Sequence, residues 1–157
     1  MNNDNVRWAS AQPTIDTAAY GAGELLGTKL SFQLSALTDT PGVLIQSAQL
    51  VDQDNEKKAV DLVLFDSDPT ATTFTNSAAF DIADADIPKI ICVINFVAAD
   101  YDSFADNAIG QVNNIGAVAR LKVNDSSRII YGALVAREAV TYTATTDLVA
   151  RIGVVAL

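Results

Sequence analysis

Apolar and polar residues alternate with a period of two in several separate runs of this chain. The cleanest spans Lys29 to Leu37, where Leu30, Phe32, Leu34 and Ala36 alternate with Ser31, Gln33 and Ser35, the pattern of a half-buried antiparallel strand. The closing run, Leu148 to Val155, sets Leu148, Ala150, Ile152 and Val154 against Val149, Arg151, Gly153 and Val155. Alternation puts the first set on one face of a sheet, and the run is expected inside a sheet rather than frayed.

Between these, Thr38-Asp39-Thr40-Pro41-Gly42 turns the chain into Val43 to Val51. Ala59 to Phe65 follows across the acidic segment 52–58, and the pair reads as a hairpin. Phe74 to Ile82 supplies a shorter extended piece. Ile87 to Val97 is the most apolar run, and its β-branched density predicts a central strand. Residues 98–109 carry a helical turn at most. Ala117 to Val123 and Ile129 to Ala136 flank Asn124-Asp125-Ser126-Ser127, a further hairpin signal. About eight strands separated by turn clusters predict an all-β fold, an antiparallel two-sheet β-sandwich of jelly-roll type. Phe32, Leu34, Leu62, Leu64, Ile91, Val93, Ile130, Leu134, Leu148 and Ile152 are expected in its core. Residues 1–14 are polar and interrupted by Pro13, and read as an extended N-terminal arm on a single domain of residues 15–157. Trp8 and Pro13 are the candidate contact residues of that arm, since a lone aromatic on a polar segment can anchor it on a neighbour.

Composition narrows the function classes. At 157 residues one domain suffices to bury a core. The formal charge of −9 argues against nucleic-acid phosphates and anionic membranes as partners. With no histidine, serine–histidine and cysteine–histidine catalysis and histidine-ligated zinc are excluded. The single Cys92 sits in Ile90-Ile91-Cys92-Val93-Ile94 and reads as a small core hydrophobe without a disulfide partner. No leader-like or membrane-length apolar run is present, which points to synthesis in a cytoplasm. Only 18% of residues are charged, leaving a surface of small polar residues of the kind buried in contacts.

Three acidic groups are candidate cation sites by composition. Asp52, Asp54 and Glu56 have alternate spacing but lack the glycine and distant glutamate of a calcium loop, so they read as an acidic turn. Asp66 and Asp68 precede Pro69 and read as Asx turns; Asp81, Asp84 and Asp86 read as a solvated loop. Gly21-Ala22-Gly23-Glu24-Leu25-Leu26-Gly27 has the wrong spacing for a dinucleotide loop and reads as a turn and bulge. No metal, cofactor or catalytic residue is expected.

Four segments in order carry a family likeness: Pro13 to Tyr20, Leu64 to Phe74, Ile130 to Arg137 and Thr141 to Leu148. Together they resemble small virion proteins of tailed bacteriophages, the capsid decoration or cement proteins. Glu138-Ala139-Val140 departs from the resemblance, standing where a Gly-Thr-Pro-like turn is typical. The resemblance implies a β-sandwich or jelly roll without enzymatic activity, often a homotrimer, that binds the major capsid protein on the capsid surface of the virion after synthesis in the host bacterial cytoplasm. A tail or head-fibre base protein is the alternative within the virion. A carbohydrate-binding module is the alternative outside it, and would need exposed aromatic platforms.

Overall fold

The computed structural model describes residues 6–37, 40–121 and 128–157. Nine strands form among them: β1 (Val6–Ala11), β2 (Leu30–Gln33), β3 (Gly42–Asp52), β4 (Val60–Phe65), β5 (Ile90–Phe96), β6 (Tyr101–Phe104), β7 (Asn107–Arg120), β8 (Ile129–Ala136) and β9 (Leu148–Ala156). Single 3-10 turns at Ile87–Lys89 and Ala98–Asp100 are the helical elements. All ladders are antiparallel. One sheet has the order β1-β9-β3-β7-β6 and the other β2-β8-β4-β5. The chain crosses between sheets at every connection but β4–β5 and β6–β7, so that β1-β9-β3-β7 faces β2-β8-β4-β5. This is a jelly roll of two Greek keys, with β6 added at one edge.

That topology corrects the local pairings. β3 and β4 do not form a hairpin, and neither do β7 and β8; each pair is split between the sheets. Turn chemistry between two alternating runs looks alike whether the second run returns beside the first or crosses the core. Two pairs of consecutive strands do pair: β4 with β5 across the long connection between them, and β6 with β7 in a tight hairpin within the stretch read as a helical turn. Ala105 at its tip has a φ of 59°. Residues 74–82 form no strand: Ala79 bridges Glu24, and the N–H groups of Leu25 and Phe80 bond Ala78 and Gly23. The loop signal at 124–127 lies outside the described residues.

β9 is interior, between β1 and β3. β1 is formed from the segment expected as an arm: Val6 to Ala11 pair in unbroken register with Val155 to Ala150. Polar composition did not keep this stretch off the sheet, because every second residue of an edge strand faces solvent. Deleting residues 1–12 therefore removes a sheet strand and uncovers β9.

Inward residues of both sheets interdigitate. Val43, Ile45, Leu50, Leu148, Ile152 and Val154 meet Phe32, Leu62, Leu64, Ile94, Ile130 and Leu134, all buried in one cluster. β5 departs from expectation twice. It is an edge strand rather than a central one, and Val93 points outward, 45% exposed. The cause of the second is a bulge: Leu64 pairs with Cys92 but Phe65 with Ile90, so Ile91 is an extra residue and the parity of inward positions changes there. Ile91 still packs on the core.

The outer face of the four-stranded sheet is closed by the chain itself. Val63, Phe65, Ala133 and Val135 are buried beneath Leu25, with Phe74, Phe80 and Ile82 packed around them. This explains why β4 is buried at all six positions. No helix among the described residues is long and apolar enough to cross a membrane.

Candidate interaction surface

Among the described residues, the five-stranded sheet has no such cover. Its outward positions follow from the strand register, and they line up in rows across the sheet. One row is apolar: Val6 pairs with Val155, Val155 with Leu44, and Leu44 with Val118. Val6 and Val118, at its ends, are 65% and 61% exposed. The next row holds Trp8, Gly153, Ser47 and Asn113. Gly153 is there for space, because a Cβ would lie 2.5 Å from the Ser47 hydroxyl and 3.3 Å from the indole of Trp8. The indole thus sits over Gly153 of β9, and the Arg151 guanidinium lies 4.8 Å from its centre, a cation–π contact worth about 0.5–1 kcal/mol where exposed.

Arg151 is held at its other end as well. It donates to Gln49 Oε1 at 2.9 Å, Gln49 donates to Gln111 at 3.2 Å, and Gln111 donates to Asn113 at 2.9 Å. Beyond a bulge at Gln46, that side chain donates to Asn114 at 3.2 Å. A ladder of amides therefore crosses β9, β3 and β7, with an aromatic at one side and an apolar row along its border. Such a ladder fixes side chains that would otherwise lose rotamer freedom on contact with a partner.

Charge is distributed unevenly. Although the chain carries 19 carboxylate residues, Asp102 on β6 is the sole acidic residue at an outward position of the five described strands of this sheet. Arg120 and Arg151 are the basic ones. Among the described residues, the remaining acidic groups lie in connections or are buried. A face with Trp and Arg but depleted of Asp, Glu and Lys has the composition of a protein–protein interface core.

No protein-family model matches the chain, and no curated protein matches it. Among solved structures it is similar to a chain of Desmodium yellow mottle tymovirus, at 12% identity and a TM-score of 0.30, covering 96% of this chain and 86% of that one. At that level the likeness bears on neither function nor partner.

The two residues singled out in the sequence are not brought together. Trp8 is 44% exposed on the open face. Pro13 is buried, its Cβ 2.6 Å from where a side chain of Gly27 would begin. Gly27 also has a φ of +81°, so both conformation and space require glycine there. Val6, Leu44, Val118 and Arg151 were missed as contact candidates. The glycine opposite an aromatic row in β9 was the available signal, since a strand glycine often marks close approach.

Asp52, Asp54, Asp68 and Asp86 hold the connections in place, while Asp81 and Asp84 are exposed. Asp52 is buried and accepts from the N–H groups of Asp54 at 3.1 Å and Lys57 at 2.8 Å; burial raises its pKa, against those bonds. Asp54 accepts from the N–H and hydroxyl of Thr143, each at 3.0 Å, tying the β3–β4 connection to the β8–β9 connection. Asp68 pairs with Lys29. Asp86, expected in a solvated loop, is fully buried because it organises the 66–89 segment. It accepts from the Thr72 N–H and hydroxyl, both at 2.7 Å, and pairs with Lys89 at 2.7 Å. Burial disfavours its charge, yet Lys89 and Thr72 outweigh that and hold its pKa below the ordinary 3.8. A depressed carboxylate stabilises the fold above its unfolded pKa and loses that contribution as pH falls through its folded pKa. The stability advantage of the native protein over Asp86→Asn should be constant from pH 7 to 5 and shrink below about pH 3.8, as read by denaturant titration at each pH. An advantage independent of pH would contradict the pairing.

Among the described residues no group of three or more His, Cys, Asp or Glu side chains is placed to hold a metal ion. A shallow cleft of about 360 Å³ is lined by Ala71, Thr72, Thr73, Thr75, Ala78, Ala79, Asp81 and Ala83, with one carboxylate and no opposed partner for acid–base work. Burial pushes the Cys92 thiol up to about 11. Its reaction with a disulfide reagent at pH 8 should be roughly a hundredfold slower in the native protein than in denaturant, because the thiolate is the nucleophile. Equal rates would place Cys92 outside the packed strand.

Proposed function

We propose that this protein is a virion structural protein that decorates the capsid exterior and stabilises it by binding the major capsid protein. The observation that carries the reading is the asymmetry of the two outer faces: the chain seals one with its own apolar loops and leaves the other open, carboxylate-poor and pre-ordered around Trp8 and Arg151. The jelly roll is a fold that capsid proteins use, though also lectins and cupins. The ordered sequence resemblance to decoration proteins directs the choice among them.

In this reading the five-stranded sheet turns toward the shell and the acidic connections turn toward solvent and away from packaged DNA. Stabilisation follows from mass action, since a ligand of the assembled lattice that ignores free subunits shifts the equilibrium to the lattice. The carbohydrate alternative keeps Trp8 but loses the tyrosines that would extend a platform: Tyr20, Tyr101 and Tyr142 are buried, and Tyr131 packs against the covering loops.

Co-sedimentation with empty shells assembled from the cognate major capsid protein tests the proposal. Saturable binding to shells, with a raised shell melting temperature and no binding to free capsid subunits, is expected. Absence of binding at micromolar concentration would remove the decoration reading.

A further inference from the structure

A different part of the molecule points to self-association. Among the described residues, four strands lie at sheet edges: β1 and β6 in one sheet, β2 and β5 in the other. An edge strand presents unpaired N–H and C=O groups, and proteins guard such edges with charge, brevity or irregularity. β6 is four residues long with Asp102 inside it, and β2 is four residues long beside Lys29. β1 carries Arg7. β5 runs for seven residues, Ile-Ile-Cys-Val-Ile-Asn-Phe, with no charged side chain. Its bulge is confined to Ile91, and Cys92 to Phe96 continue as regular strand.

This is the composition of a strand buried between two neighbours, placed where it has only one. We infer that the second neighbour is β5 of another copy of this chain, paired antiparallel about a two-fold axis near Ile94. Backbone complementarity requires the occupant to be an extended strand. Charge permits a second copy at this edge: two chains of net charge −9 repel wherever carboxylates meet, and β5 is the one edge strand of more than four residues that carries no charged side chain. Asp61, the carboxylate closest to it, accepts from Asn95 at 2.7 Å and is paired with Arg137 within the same chain. An isologous two-fold contact matches identical edges by construction, and here joins two four-stranded sheets into one of eight. Val93 would pack beside Asn95 of the other copy on the outer face of the joined sheet. The contact lies on the sheet opposite the Trp8 face and does not depend on the capsid reading.

Sedimentation equilibrium of the full chain should show a dimer, twice the 16.6 kDa chain mass, and Val93→Lys should raise its dissociation constant about tenfold or more with an unchanged far-ultraviolet spectrum, because an edge lysine blocks strand pairing. Hydrogen exchange of the unmutated protein supplies an independent arm: amides of residues 92–96 that point away from β4 should gain protection as concentration rises through the dimerisation range. A monomer at all concentrations, a trimer, or a dimer whose outward β5 amides stay unprotected would overturn the inference.

Discussion

Phe32→Ala should lower the stability of the fold by about 3–5 kcal/mol, the range for removing a buried aromatic ring. Against a total of roughly 5–15 kcal/mol for a domain of this kind, that is enough to leave a fraction of the protein unfolded at physiological temperature. Phe32 is fully buried on β2, a strand of four residues that pairs only with β8. Its ring lies over Gly132, where a Cβ would come within 3.0 Å of it. The glycine gives the ring its seat and has no side chain of its own to refill the void. Gly132→Ala alone should cost about 1–3 kcal/mol through overpacking. Combined with Phe32→Ala it should cost much less, since the methyl then enters a space the ring has left. Guanidinium titrations read all three values. A Phe32→Ala cost below about 1 kcal/mol, well under the range for such a ring, would mean that the sheets do not pack as described.

A larger functional effect is expected from Val118→Asp. Val118 is 61% exposed at the end of the apolar row, so the fold should tolerate the change. In a desolvated contact the new carboxylate would be unpaired, a penalty of about 2–5 kcal/mol, and shell affinity should fall by roughly thirtyfold or more. Trp8→Ala should fall in the same range, as an aromatic anchor stripped from a contact, and should also free Arg151 from one of its supports. Thr73→Asp, exposed beside the covering loops of the other sheet, should leave binding unchanged. Equal binding by all three variants would exclude the open face as the contact.

The extents of β3 and β9 were legible in the sequence because each has one face in the core and a turn cluster before it, so alternation reports directly on burial; β4 and β8, buried on both faces over most of their length, were legible as apolar density bounded by turns. Their partners were not. Asn124 to Ser127 and the acidic stretch after Val51 are good turn chemistry for either a hairpin or a crossing between sheets, and only the closing of both sheets around one core decides which. β5 misled in the opposite sense, since seven uncharged residues are what a central strand requires and the topology puts them at an edge. Burial of β4 on both sides was visible in Val60 to Phe65 only as apolar density interrupted by Asp61; the cover comes from Leu25, Phe74 and Phe80, up to about forty residues away along the chain. Trp8 was legible as an unusual residue and its setting was not, because Arg151 and Gly153 reach it through strand register from the far end of the sequence. Asp86 was hidden for a similar reason: its partners Thr72 and Lys89 flank it at a distance and look like ordinary loop residues.

The most direct measurement is an electron cryomicroscopy reconstruction of shells decorated with the full chain. The account predicts the five-stranded sheet against the shell, with Trp8 and Val118 within contact distance of the major capsid protein and residues 66–86 turned to solvent. Density showing residues 66–86 seated on the shell, with Trp8 in solvent, would contradict it.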